Sequence, residues 1–266
     1  MLTQFRQFLL DRLVLRPTRA AVAPHTQRRS EVQLSQYSIE FFVQKNFDEA
    51  VKPDLLILKF PGTAGRAERS SPFPSDHFED LNVEIWTWNP PGYGKSEGRA
   101  RLAEIAKTAA EFCKYAEGNG GKNSVLWLMG NSLGCLPALH IASKMDKASN
   151  VGLILRNPPP LISVVKNVAK RYPLGWCINP VADSLCDPMN AMLSAPHCHF
   201  PALFLQSELD TLVPPHLQDE IIKAYLGEKR TVVLEAIGHD DTLTKNHQMQ
   251  VLDKLRWLWS LTKQTR

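Results

Sequence analysis

A chain of 266 residues is long enough to bury one substantial core, and 44% hydrophobic with 22% charged residues is a globular composition that excludes a predominantly disordered chain. The 31 basic and 27 acidic side chains leave a net charge of only +4, too weak a field to mark a nucleic-acid binder. Cys113, Cys135, Cys177, Cys186 and Cys198 are odd in number and lack CxxC spacing, so they signal neither a disulfide framework nor a zinc site and fit reduced thiols in the cytoplasm.

At the N-terminus Leu2, Phe5, Leu9 and Leu13 recur at helical spacing, and Arg6, Asp11 and Arg12 interrupt what would otherwise resemble a signal-peptide core. Arg16, Arg19, Arg28 and Arg29 follow without a sustained basic amphipathic helix, so they read as a solvated arm, while peripheral attachment of the first helix to a membrane stays open. Residues 1–30 are accordingly set apart as a helix and basic arm preceding one domain over 31–266. No run reaches the about eighteen apolar residues an integral membrane helix needs.

The stretch 31–44 is rich in β-formers with partial alternation and predicts two antiparallel strands joined by a tight turn. Apolar runs at 54–60, 82–88, 124–130, 151–157, 201–207 and 230–236 then alternate with helical patterns at 101–118, after Ser132, at 214–227 and at 246–263. Strand alternating with helix implies an α/β fold: a mostly parallel central sheet with helices on both faces. The interval 158–200 has no convincing strand and several prolines, and is predicted to be a small helical insertion over one edge of the sheet.

In an open parallel sheet ligands bind beyond the carboxyl ends of the strands, so the residues that follow each apolar run are the candidates for chemistry. Gly130-Asn131-Ser132-Leu133-Gly134 is GxSxG, a pattern in which small flanking residues let a strand turn sharply into a helix with the serine at the tip. A helix cap would explain the serine but not both glycines. Asp210 follows the run 201–207 and His239 follows 230–236, giving the order Ser, Asp, His. Taken singly, Asp210 has an alternative reading as a cap for the next helix and His239 one as a loop residue, and the coincidence of both with the serine favours the catalytic reading. Glu208, nearer the strand end, is a rival to Asp210 as the orienting acid.

"FPGTAG" (60–65), "NPPGYGKSEG" (89–98), "GNSLG" (130–134) and "ELDTLVP" with "GHDD" together resemble the α/β-hydrolase superfamily, most closely the small serine hydrolases that include depalmitoylating protein thioesterases. The resemblance runs from about Asp54 to the end of the chain. It implies Ser132 as nucleophile, His239 as base and Asp210 as its partner, with the backbone N–H groups of Leu133 and Thr63 holding the oxyanion. It further implies hydrolysis of an ester or thioester in a small-molecule or acylated substrate, with no metal, no organic cofactor and no nucleic acid. Acyl transfer, amide hydrolysis and perhydrolysis on the same scaffold are the alternatives, as is a catalytically silent binding domain. Two departures bear on the oxyanion geometry: Pro61 stands where many members carry a histidine, and Pro137 lies early in the helix after Ser132.

Other signals are weaker. "GYGKS" lacks the glycine a phosphate loop requires, since position 89 is Asn89. His197 and His199 form an isolated HxH that reads as loop, and "PGTAG" by itself could be a plain turn. Trp86, Trp88, Trp127, Trp257 and Trp259 fall in predicted strands or the last helix and read as core. Within the insertion, Leu161, Trp176 and Met189 are candidates to line a substrate pocket, and packing of the insertion on its own domain explains them equally well.

Overall fold

The computed structural model describes residues 2–24, 26–47, 51–120 and 124–263. Helix α1 (Leu2–Val14) leads by an extended arm to the hairpin β1 (Arg28–Gln33) and β2 (Ser38–Lys45), which pairs Arg28 with Val43 and Gln33 with Ser38. The chain then alternates β3 (Leu55–Phe60), β4 (Val83–Trp88), α2 (Leu102–Gly120), β5 (Val125–Asn131), α3 (Cys135–Ala142) and β6 (Val151–Arg156). Beyond the insertion come β7 (Ala202–Ser207), α7 (Pro215–Ala224), β8 (Lys229–Leu234) and α8 (Lys245–Thr262).

These strands form one eight-stranded sheet in the order β1-β2-β4-β3-β5-β6-β7-β8. Strands β3 to β8 are parallel, and β2 joins β4 antiparallel. Every residue of β3, β4 and β7 is buried, which is why those segments read as mostly apolar runs, with Lys59, Glu84, Thr87, Gln206 and Ser207 as buried polar exceptions. Alternate residues serve opposite faces. Leu56, Leu58 and Phe60 join the core beneath α2 and α3, whereas Leu55 and Ile57 pack in the core that includes Val251, Leu255 and Leu258 of α8. Trp88 stacks on Phe112 with ring centroids 5.7 Å apart, and the Trp127 indole donates to Thr262 Oγ1 at 3.2 Å, tying the central strand to α8.

The interval 158–200 contains α4 (Leu161–Ala169) and the single turns α5 (Asn179–Ala182) and α6 (Ala191–Ser194), joined by 3₁₀ turns. Met189 is completely buried among core residues rather than facing a pocket, and Trp176 is 70% exposed. Both depart from the expectation for the same reason: outside a periodic element, an apolar side chain does not report which way it points.

The N-terminal arm runs along the body of the domain. Arg19 donates to the carbonyls of Ser96 and Gly98, Gly94 N–H donates to the Thr18 carbonyl, and Arg66 donates to the carbonyls of Thr18 and Ala20. Arg29 pairs with Glu40 at 2.6 Å. The arm is therefore tied by hydrogen bonds to the loops that follow β3 and β4 while Arg16, Arg19, Arg28 and Arg29 stay exposed, because a guanidinium can bond a carbonyl and still keep part of its fork in water.

Candidate active site

At the tip of β5 the backbone reverses at Ser132, whose φ of 50° lies in the left-handed region that costs a non-glycine residue about 1–2 kcal/mol. A 3₁₀ turn, Ser132–Gly134, then opens into α3 at Cys135. Pro137 consequently falls in the first turn of α3, where a missing N–H costs little.

The close packing of this turn explains both glycines. A Cβ on Gly134 would sit 1.9 Å from the Phe60 carbonyl oxygen, and one on Gly130 would sit 2.5 Å from the Cys135 Cα. Both obstacles are backbone and cannot swing aside. Ser132 is not a helix cap: Asn131 and Gly134 occupy the two capping positions, neither with a side-chain capping bond, and the Ser132 hydroxyl faces a histidine.

That histidine is His239, whose Nε2 lies 2.8 Å from Ser132 Oγ and whose Nδ1 lies 2.6 Å from Asp210 Oδ2. The side chains of Asp210 and His239 are 0% and 10% exposed. Asp210 is held from below, its Oδ1 accepting the N–H groups of Leu212 and Val213 at 2.9 and 2.8 Å. Glu208 instead accepts the Ala236 N–H at 2.9 Å, and Asp241 accepts the Gly238 N–H at 2.6 Å. Both carboxylates brace the loop before the histidine and leave its ring to Asp210. A further support that the sequence does not advertise is Asn157, fully buried at the end of β6, which exchanges hydrogen bonds with Ser207 at 2.8 and 3.0 Å and so locks the tips of β6 and β7 together.

Opposite the serine runs the loop after β3. A Cβ on Gly62 would lie 3.5 Å from Ser132 Cβ, so this loop abuts the elbow, and Thr63 lines the same cavity as Ser132 and Leu133. Thr63 is clamped on several sides: its hydroxyl donates to the Val14 carbonyl, and its own carbonyl accepts from the Arg16 N–H at 3.3 Å and the Tyr93 hydroxyl at 2.7 Å. Burial pushes the Tyr93 phenol up to about 12, so it remains a donor throughout the neutral range. Behind this clamp, Asn89 donates to Glu40 at 2.7 Å and to Glu68 at 3.0 Å, and Glu68 pairs with Arg66. These four side chains are buried and satisfy one another.

Ser132 stands in a cavity of about 720 Å³ with largely apolar walls. Leu161, Val164, Val165 and Val168 of α4 form one side, and Leu13 and Val14 of α1 contribute to another. Leu161 thus faces the serine's cavity, while Trp176 and Met189 do not. Leu13 and Val14 were not legible as lining residues, because nothing in the N-terminal helix indicates that its end reaches the strand tips. Among the described residues no three His, Cys, Asp or Glu side chains are grouped to share a metal ion, and His197 and His199 are exposed.

A mostly parallel eight-stranded sheet wrapped by helices, with a strained serine at the tip of β5, is the α/β-hydrolase fold. The chain is similar to an esterase of Pyrococcus furiosus, with 14% identity, a TM-score of 0.66, and coverage of 93% of this chain and 97% of that one. It is similar to acetyl xylan esterase 1 of a Thermoanaerobacterium species at 12% identity and a TM-score of 0.64, covering 97% and 93% of the two chains. A third similar structure is mouse alpha/beta hydrolase domain-containing protein 10, at 14% identity and a TM-score of 0.62, covering 88% and 98%. In sequence the chain is 27% identical over 187 residues to two uncharacterized proteins of Mycobacterium tuberculosis, a match that takes in 70% of this chain and 63% of theirs. No family model matches it.

Proposed function

We propose that the protein is a serine hydrolase that cleaves a carboxylic ester or thioester through an acyl-enzyme. The observation that carries this reading is the unbroken relay from Ser132 Oγ to His239 at 2.8 Å and from His239 to the buried Asp210 at 2.6 Å, at the head of an apolar cavity. Ser132 Oγ attacks the acyl carbonyl while His239 Nε2 takes its proton, and Asp210 holds the other ring nitrogen and stabilises the imidazolium that forms. The N–H groups of Leu133 and Thr63 stabilise the oxyanion, and His239 returns the proton to the departing alcohol or thiol. Water, deprotonated by the same imidazole, then releases the acid.

Similarity to esterases supports the reaction class, and the cavity walls favour an acyl or alkyl group of some length, as in the depalmitoylating thioesterases that the motifs resemble. The five cysteines are free, in keeping with a reducing cytoplasmic setting. A fluorophosphonate probe tests the assignment. Wild-type protein is expected to be labelled at Ser132, and Ser132→Ala is expected to be unlabelled and inactive with a melting temperature within about 3 °C of wild type, the shift that about 1 kcal/mol produces in a chain of this size. Absence of labelling, or esterase activity retained by the variant, would overturn it. Chain-length profiling with nitrophenyl esters and acyl thioesters then measures the depth of the cavity.

A further inference from the structure

We infer that the face formed by α1 and the tip of the insertion docks on an anionic lipid surface. Helix α1 is fastened to the body by Leu10, buried as is Leu15 just beyond it, and by Leu9 and Val14, which pack partly buried on the same core, yet a second set of its apolar residues is turned outward. Leu2 is 62%, Phe5 58%, Phe8 49% and Leu13 45% exposed. A helix held by one face has no folding requirement for a second apolar stripe.

The insertion presents a matching group. After α4 the chain exposes Tyr172, Leu174 and Trp176, the last two at 70%. Leu174 adopts a φ of 58°, a left-handed conformation unfavourable for a bulky residue, and so holds an apolar side chain in water at the expense of backbone strain. Leu13 of α1 and Tyr172 and Leu174 of the insertion line the one cavity, so the two exposed groups flank the same opening.

Charge decides what covers this face. The segment 2–19 carries Arg6, Arg12, Arg16 and Arg19 against a single acid, Asp11, whose carboxylate is turned inward to accept the Leu102 N–H at 2.9 Å. The segment 161–178 carries Lys166, Lys170 and Arg171 and no acid, with only Lys166 answered by an ion pair, to Asp183. A second copy of this chain seated here would bring like charges together, which disfavours self-association. Phosphatidylserine-type headgroups complement both features, taking the cations at headgroup depth and the Phe, Leu and Trp side chains just below. The same orientation points the cavity opening at the acyl layer, a consequence that rests on the proposed role of Ser132 and is separable from it by the probe experiment.

The test is cosedimentation of the full chain with vesicles of phosphatidylcholine, with and without about one-third phosphatidylserine. Wild type is expected to bind the anionic vesicles, to bind neutral ones weakly, and to be released as salt shortens the Debye length. Phe5→Ser combined with Trp176→Ser is expected to lower binding at least about tenfold, and Arg12→Gln or Lys170→Gln about fivefold each, with melting temperatures unchanged because all four side chains are exposed. Failure of wild type to bind anionic vesicles overturns the proposal, as does undiminished binding by the double variant. A wild-type dimer that the double variant dissolves, without vesicle binding, would reassign the face to self-association. Vesicle binding by a protein that the fluorophosphonate leaves unlabelled would sustain this inference while removing the hydrolase reading.

Discussion

Asp210 divides its two oxygens between backbone and base, Oδ1 receiving Leu212 and Val213 N–H groups while Oδ2 meets His239 Nδ1. An asparagine there can keep the backbone bonds through its carbonyl oxygen, but its amide then presents N–H to the ring and favours the tautomer with the proton on Nε2, the wrong one for accepting a proton from Ser132. Asp210→Asn is therefore expected to reduce turnover by about three to four orders of magnitude with little loss of stability. Glu208→Gln still accepts the Ala236 N–H through its amide oxygen and should cost less than about tenfold. Steady-state rates on one nitrophenyl ester compare the two, and the reverse ranking would transfer the orienting role to Glu208. The meeting of Ser132, Asp210 and His239 was legible because each lies just past an apolar run. What separates Asp210 from Glu208 was not, since it depends on which carboxylate the turn after β7 directs toward the ring.

The elements around Thr63 come from three distant parts of the chain: the end of α1, the loop after β3 and the loop after β4. Tyr93 is the link on which the last of these depends. Tyr93→Phe keeps the buried ring but removes the bond to the Thr63 carbonyl, and the remaining Arg16 N–H at 3.3 Å is a long, weak substitute. If the Thr63 N–H serves the oxyanion as proposed, the loop should then hold it less firmly, lowering kcat about tenfold with KM nearly unchanged, for about 1 kcal/mol of stability. A loss of about tenfold in kcat/KM in Tyr93→Phe that came from KM alone would mark Tyr93 as a substrate contact instead of a positioning residue. The central strands were legible because burial on two faces leaves a mostly apolar signature, whereas β8 at the sheet edge was legible from its β-branched residues Thr231, Val232 and Val233 although most of it is exposed or half-buried. The clamp was not, because nothing in the composition of the arm indicates that the Val14 carbonyl and the Arg16 N–H meet Thr63 many residues away.

Across the whole molecule, the charges buried beside the sheet are what composition conceals, and Lys59 offers a way to measure one. It sits in β3, nearly enclosed, with its ammonium group donating to the Ser71 carbonyl at 2.6 Å and to Ser70 Oγ at 3.3 Å. Burial lowers its pKa from 10.5 to about 7, with Asp76 opposing the shift. Between those two values the unfolded chain binds more protons than the folded one, so the contribution of Lys59 to stability increases with pH across that window; below about 7 both states are charged and the contribution is at its lowest. Lys59→Met removes the titrating group and retains most of the apolar stem. Its melting temperature relative to wild type should therefore be highest near pH 6 and fall by at least about 3 °C by pH 9, the change that about 1 kcal/mol makes in a chain of this size. Subtracting the two proteins cancels every other titration they share. A difference that stays constant from pH 6 to pH 9 would mean that water or a counter-charge reaches Lys59 in the folded protein and that its burial does not set its protonation.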